Sequence, residues 1–297
     1  MQIDYIPAKT IVSPYASNSN WFGTNYNMNI YKGCCHGCIY CDSRSDCYRV
    51  ENFERVKAKA NALEIIRNDL KRKVKTGVIG TGSMSDPYNP FEKELLLTRH
   101  ALELINAFEF GVAIATKSSL ITRDIDILSE IKEHSPVLCK LTITCADDKL
   151  SKIIEPNVCP SSERFAAIKK LSDAGIFAGI LLMPVLPFIT DTDDNIRNIV
   201  RLAHENGAKF IYSALGVTLR DNQRKYYYKK LDEHFPGLKE KYIKNYGNNY
   251  SCGSTKARQL SQIFRTECDK YGIIYKMPEI IRGYKLGYDD TQLSFFD

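Results

Sequence analysis

Four cysteines fall within eight positions in the run Gly33-Cys34-Cys35-His36-Gly37-Cys38-Ile39-Tyr40-Cys41. Cys34, Cys38 and Cys41 stand in a Cys-x3-Cys-x2-Cys spacing, which lets a single loop present three thiolates to one centre. Three thiolates can hold three irons of a cubane cluster and leave the fourth iron without a protein ligand, open to a small molecule. A closed zinc site is the alternative. It wants four ligands, so Cys35, His36 or Cys47 would have to complete it, and a loop this compact is an unusual zinc module. Cysteines that only fill a core have apolar neighbours, whereas these lie among Gly, His and Tyr.

Something must carry that loop. The chain has 297 residues, 44% of them hydrophobic, which suffices for one large α/β domain or two small ones with a buried core. Residues 1–10 show no basic segment followed by an apolar run, and no stretch approaches the roughly 18 apolar residues of a membrane span. The expectation is a soluble, cytoplasmic protein. In a reducing compartment ten cysteines serve metals or catalysis rather than disulfides. The net charge of +6 is a mild basic excess that suits a polyanionic partner and equally an ordinary surface. No low-complexity tract or repeat of 20–50 residues is present, which excludes solenoids.

From about Asn27 short apolar runs alternate with amphipathic ones. Strands are expected at 28–31, 77–80, 111–116, 137–144, 177–183 and 209–214, and helices at 53–73, 93–108, 123–133, 162–174 and 192–206. Alternation of this kind implies a parallel sheet with its chemistry at the carboxyl edge. The expected fold class is α/β, a partial (β/α)6 TIM-type barrel over residues 1–215. Helical stretches at 222–234, 238–246 and 255–271 make a C-terminal helical extension over 216–282, followed by a flexible tail over 283–297.

The Cys34, Cys38, Cys41 spacing, with aromatic Tyr40 before the last cysteine, resembles the signature of the radical S-adenosylmethionine (radical SAM) superfamily. Wider context resembles its spore photoproduct lyase-like, or DNA repair photolyase-like, branch. The resemblance includes Ser85-Asp86-Pro87-Tyr88, Thr116-Lys117-Ser118, Arg123-Asp124-Ile125-Asp126, Ile154-Glu155-Pro156 and Met183-Pro184-Val185-Leu186-Pro187-Phe188. It implies a [4Fe-4S] cluster on Cys34, Cys38 and Cys41, with the amine and carboxylate of S-adenosylmethionine on the open iron. Reductive cleavage then yields a 5'-deoxyadenosyl radical, with an electron donor such as flavodoxin or ferredoxin.

The same resemblance implies roles around the cofactor. Gly80, Thr81, Ser83 and Asp86 are expected as acceptors for the methionyl ammonium, and Lys117 as partner of the methionyl carboxylate. Ser118 is expected at the ribose or carboxylate, Thr144 at the ribose, and Tyr40 along the adenine pocket. Glu155, Arg164 and Asp191 receive no role.

In spore photoproduct lyases a cysteine after the second strand donates hydrogen to the product radical, and alignment on Ser85-Asp86 puts Met84 there. A thioether has no S–H to give. Cys139, Cys145 and Cys159 are candidate donors or further ligands. Arg220, Arg224, Lys225, Lys229 and Lys230, interleaved with Tyr226-Tyr227-Tyr228, could hold phosphates and stack bases. The tail sequence Gln292-Leu293-Ser294-Phe295-Phe296 resembles the peptide that docks bacterial DNA-maintenance proteins on the sliding clamp. These features favour a radical SAM lyase-like enzyme acting on nucleic acid in DNA repair. A radical SAM enzyme for a small molecule or peptide, and a non-catalytic metal-binding partner protein, are the alternatives.

Overall fold

The computed structural model describes residues 3–15 and 21–288. Seven strands form its main sheet: β1 (Val12–Pro14), β2 (Tyr26–Met28), β3 (Val78–Thr81), β4 (Gly111–Thr116), β5 (Val137–Thr142), β6 (Phe177–Leu182) and β7 (Phe210–Ser213). Their order is β7-β6-β5-β4-β3-β2-β1. Strands β2 to β7 pair in parallel, each with its sequence neighbour, and β1 is an antiparallel edge. Most residues of β4, β5 and β6 are buried, as strands covered on both faces must be, which is why they read as apolar runs.

Helices α1 (Ala62–Lys71), α2 (Leu97–Ala107), α3 (Ile125–Lys132), α4 (Ser161–Asp173) and α5 (Asp193–Glu205) follow strands in turn. Helix α5 illustrates the local logic. Thr192 caps it by accepting the Asn195 N–H at 3.2 Å, and Ile196, Ile199, Val200 and Ala203 put one apolar stripe on the sheet.

The sheet curls without closing. Trp21 and Phe22, just before β2, meet β7 at the far end: ring centroids are 5.4 Å apart for Trp21 and Tyr212, and 6.0 Å for Phe22 and Phe210. Phe22 shares an interior layer with Val78, Ala113, Leu138, Leu181 and Phe210, and helix α9 (Met277–Lys285) adds Ile280 and Tyr284 to it. This is a parallel-strand partial barrel with its open seam filled by side chains.

Three expected boundaries shift. The helix expected from 53 starts at Ala62, because Lys57–Lys59 is a short strand pairing antiparallel to Tyr31–Lys32 and parallel to Asp4–Ile6. The first parallel strand is 26–28 rather than 28–31. The region given to the tail from 283 begins inside α9, whose Tyr284 donates to Phe22 O at 2.7 Å. Helices α6 (Asp221–His234), α7 (Leu238–Tyr246) and α8 (Ala257–Tyr271) follow β7, and α8 puts Leu260, Phe264 and Cys268 into the main core. Among the described residues no helix is long and apolar enough to cross a membrane. The clamp-like peptide, Gln292 to Phe296, lies outside the described residues.

Candidate active site

The cysteine loop leaves the short strand Tyr31–Lys32 and is tied down on several sides. Cys34 N–H donates to Phe53 O at 2.8 Å, Ile39 N–H to Ile154 O at 3.0 Å, and Asn157 N–H to His36 O at 3.1 Å. Gly33 sits at φ 80°, and a Cβ there would lie 2.7 Å from Phe53 O, so the turn into Cys34 requires glycine. From α6, Gln223 Nε2 donates to Tyr40 O at 3.2 Å. So held, Cys34, Cys38 and Cys41 line one cavity of about 400 Å³, a size that suits cofactor and ligand sites.

The end of β3 and the loop after it line the same cavity with Gly80, Thr81, Ser83 and Asp86, and Lys117 joins them from the end of β4. Gly82 has φ 89°, and a Cβ would fall 1.9 Å from Ala115 O, so only glycine lets this loop pass β4. Ser85 Oγ donates to Gly33 O at 2.6 Å and couples the two loops. Asp86 also braces the site. Its Oδ1 accepts from Thr116 Oγ1 at 2.6 Å and Tyr88 N at 2.9 Å, and its Oδ2 accepts from Lys117 N at 2.8 Å, 3.5 Å from His36 Nδ1.

Burial pulls the Lys117 ammonium down, but Cys38, Glu155, Cys41 and Asp86 outweigh it and hold the pKa above its ordinary value. Lys117 is a fixed cation facing the cysteine loop, its Nζ 5.8 Å from the Tyr40 ring centroid. Two expected residues do not reach the cavity. Ser118 caps the turn Ser119–Asp124 by accepting the Leu120 N–H at 3.3 Å. Thr144 follows the end of β5 and is fully buried, its Oγ1 without a hydrogen-bond partner among the described residues. Strand β5 stops at Thr142, and it is Thr142 that lines the cavity.

Tyr40 is held from below. Its hydroxyl donates to Glu155, whose carboxylate lies 2.7 Å from Arg164 Nη1. Arg164 donates to Thr142 O at 2.7 Å and Ser151 Oγ at 2.8 Å, and both ions are fully buried. Glu155 and Arg164, two of the three residues without a sequence-based role, thus orient the aromatic wall of the site.

Three thiols, the Lys117 ammonium and an aromatic wall on one cavity fit an iron–sulfur cluster with a charged organic ligand. Burial pushes the Cys38 thiol well above its ordinary value; Lys117 opposes this, and Glu155, Cys41 and Cys34 add to it. A bare thiolate is therefore unfavourable there, and an iron–sulfur cluster, if bound, would supply the missing positive charge. Among the described residues no three Cys, His, Asp or Glu side chains converge on the point a single metal ion would occupy.

Other candidates lie elsewhere. Cys139, Cys145 and Cys159 do not line the cavity. Burial raises Cys139 to about 12 and Cys145 to about 11, and Cys159 donates to Lys117 O at 3.3 Å. Met84 does line the cavity. The tyrosine-rich basic stretch turns inward only in part, with Tyr227 buried and its other tyrosines and arginines half-buried. Tyr227 is fully buried and donates to Tyr242 at 2.9 Å. Arg224 holds the carbonyls of Leu219 and Asn249, both at 2.7 Å, and Arg220 pairs with Asp42 at 2.6 Å. Lys225 and Lys229 remain exposed.

Several cavity residues escaped the sequence reading. His36, 4% exposed between Asp86 and Cys34, had figured only as a zinc ligand. Tyr15 and Trp21 line the cavity from segments with no motif. Lys140 had a visible signal, a charge in the middle of the apolar run 137–143.

Comparison with known proteins agrees with this geometry. The profile of the Radical SAM superfamily matches residues 28–203. An uncharacterized protein of Mycobacterium tuberculosis is 26% identical over 228 residues, covering 74% of this chain and 67% of its own length. Another, of Methanocaldococcus jannaschii, is 34% identical over 175 residues, covering 58% of this chain and 64% of its own length. Spore photoproduct lyase complexed with dinucleoside spore photoproduct is similar in fold, with TM-score 0.61 and 14% identity over 84% of this chain and 74% of that one. A mutant of that lyase with bound AdoMet and the same dinucleoside gives TM-score 0.61 and 14% identity, with 84% and 74% covered.

Proposed function

Because this chain belongs to the radical SAM superfamily, whose enzymes use a [4Fe-4S] cluster and S-adenosylmethionine, we propose that Cys34, Cys38 and Cys41 hold the cluster and that nucleic acid is the substrate, in a repair-like reaction. The carrying observation is that the three thiols, the loop at 80–86 and Lys117 share one cavity. When bound, the cluster and S-adenosylmethionine supply a 5'-deoxyadenosyl radical that abstracts hydrogen from the substrate. The chain's own residues position and shield. Lys117 offers its charge to the methionyl carboxylate, Gly80, Thr81 and Ser83 offer oxygens to the ammonium, and Tyr40, stilled by Glu155, borders the adenine. Apolar walls around them keep water from a reactive radical.

Nucleic acid is supported by likeness in fold to spore photoproduct lyase complexed with a dinucleoside, and by the charge of +6. Met84 sets the chemistry apart from a lyase with a cysteine donor at this point. Flavodoxin or ferredoxin as electron donor, and a sliding clamp bound through Gln292 to Phe296, belong to the same reading. A small molecule or peptide is the second reading, favoured by the inward turn of Arg220, Arg224 and Tyr227, which shrinks the basic face.

The test is anaerobic reconstitution with iron and sulfide, followed by assay of 5'-deoxyadenosine formed with dithionite. Wild type is expected to form it, and Cys38→Ala to lose both the iron chromophore and all product. Lesion-bearing and intact oligonucleotides are then compared. Lesion-dependent stimulation supports nucleic acid, and indifference to every oligonucleotide transfers the case to the second reading.

A further inference from the structure

Strand β5 is buried throughout, yet it contains a lysine. Lys140 is 3% exposed and lines the cavity, two residues before Thr142, which lines it too. Its registered neighbours are Ala115 on β4 and Gly179 on β6, side chains too short to cross the space around it. The Lys140 Nζ lies 4.5 Å from the Phe22 ring centroid. Among the described residues it has no hydrogen bond or ion pair, and Trp21, Leu181 and Met183 make the nearby cavity wall apolar.

A buried ammonium without a counter-ion is costly, and a ring face replaces only a small part of its lost hydration. Burial accordingly pulls Lys140 down to about 7. An anion entering the cavity would restore the missing partner. Lys117 already faces the cysteine loop at the strand ends, so Lys140, deeper in the barrel, is the cation left for a second anionic group.

We propose that Lys140, backed by Phe22 and Trp21, forms an anion subsite that takes a phosphate ester or a carboxylate of the molecule entering the barrel. This rests on the cavity being the active site.

Trp21 is the single tryptophan of the chain and lines the same cavity, so its fluorescence reports on the subsite. The full-length reconstituted holoenzyme is titrated at pH 7 with the dinucleotide TpT, inorganic phosphate or acetate, ionic strength being fixed with chloride. Wild type is expected to give a saturable change, weakened tenfold or more in Lys140→Met and largely kept in Lys140→Arg. Tighter binding of TpT or phosphate identifies a phosphate ester, and tighter binding of acetate a carboxylate. The proposal is overturned if no anion saturates the wild-type signal or if Lys140→Met binds as well as wild type. Formation of 5'-deoxyadenosine by wild type is followed in parallel. Its absence beside an intact anion response overturns the active-site reading alone, and its presence without any anion response overturns the subsite alone.

Discussion

Arg164 and Lys140 are both cations buried within the barrel, and they are treated in opposite ways. Arg164 is enclosed by Glu155, Thr142 O and two serine hydroxyls, so its charge is answered within the protein. Lys140 meets the face of one phenyl ring. The first arrangement makes a rigid support, because both Nη groups of Arg164 and its counter-charge are engaged within the protein, and removing one partner strands another. The second leaves an interaction open toward a cavity, where a ligand can complete it. Burial alone does not separate structural from functional charge; what separates them is whether the partners are already present.

The comparison breaks most easily at the support. Arg164→Met leaves the Glu155 carboxylate buried and unpaired, and an expected loss of about 3–5 kcal/mol should appear in urea unfolding. An unchanged midpoint would show that the pair braces nothing.

Lys140→Met should act with the opposite sign and raise stability by a few kcal/mol, on a scale of roughly 1.4 kcal/mol per pKa unit. Unfolded Lys140 keeps its proton to about its ordinary 10.5, whereas the folded residue releases it near 7. Between those values the unfolded chain binds more protons, so wild-type stability climbs with pH. The advantage of the Met variant is therefore full below pH 7 and fades toward 10.5, and a pH-independent difference would contradict this account.

Tyr40→Phe removes the hydroxyl donor to Glu155 and should cost about 1–2 kcal/mol. Smallest of all is Lys229→Ala on the exposed face of α6, expected within roughly 0.5 kcal/mol of wild type. A larger change would mean that the outer face of this helix carries more than solvent.

What could be read in advance depended on the reach of each interaction. The cysteine loop was legible because its three thiols lie within eight positions, and the parallel sheet because β4 to β6 are largely apolar. The Tyr40–Glu155 contact spans 115 residues and leaves no local trace. Helix phase would have corrected the tyrosine stretch, since Gln223, Tyr227 and Leu231 recur every four positions and all face inward. Ser118 and Thr144 were misplaced because a strand fixes which of its residues point inward only as far as it runs. Lys59 N–H donating to Ile30 O at 3.0 Å shows what delayed the start of the expected helix: the backbone there was already paired.

The contact between Tyr284 and Phe22 joins positions 262 apart in sequence. Synthesis runs from the amino end, so Phe22 leaves the ribosome long before α9 exists to cover it. Until then the interior layer around Phe22 lacks Ile280 and Tyr284. The layer is thus closed late in synthesis, and a nascent chain halted before Met277 leaves its apolar side chains uncovered.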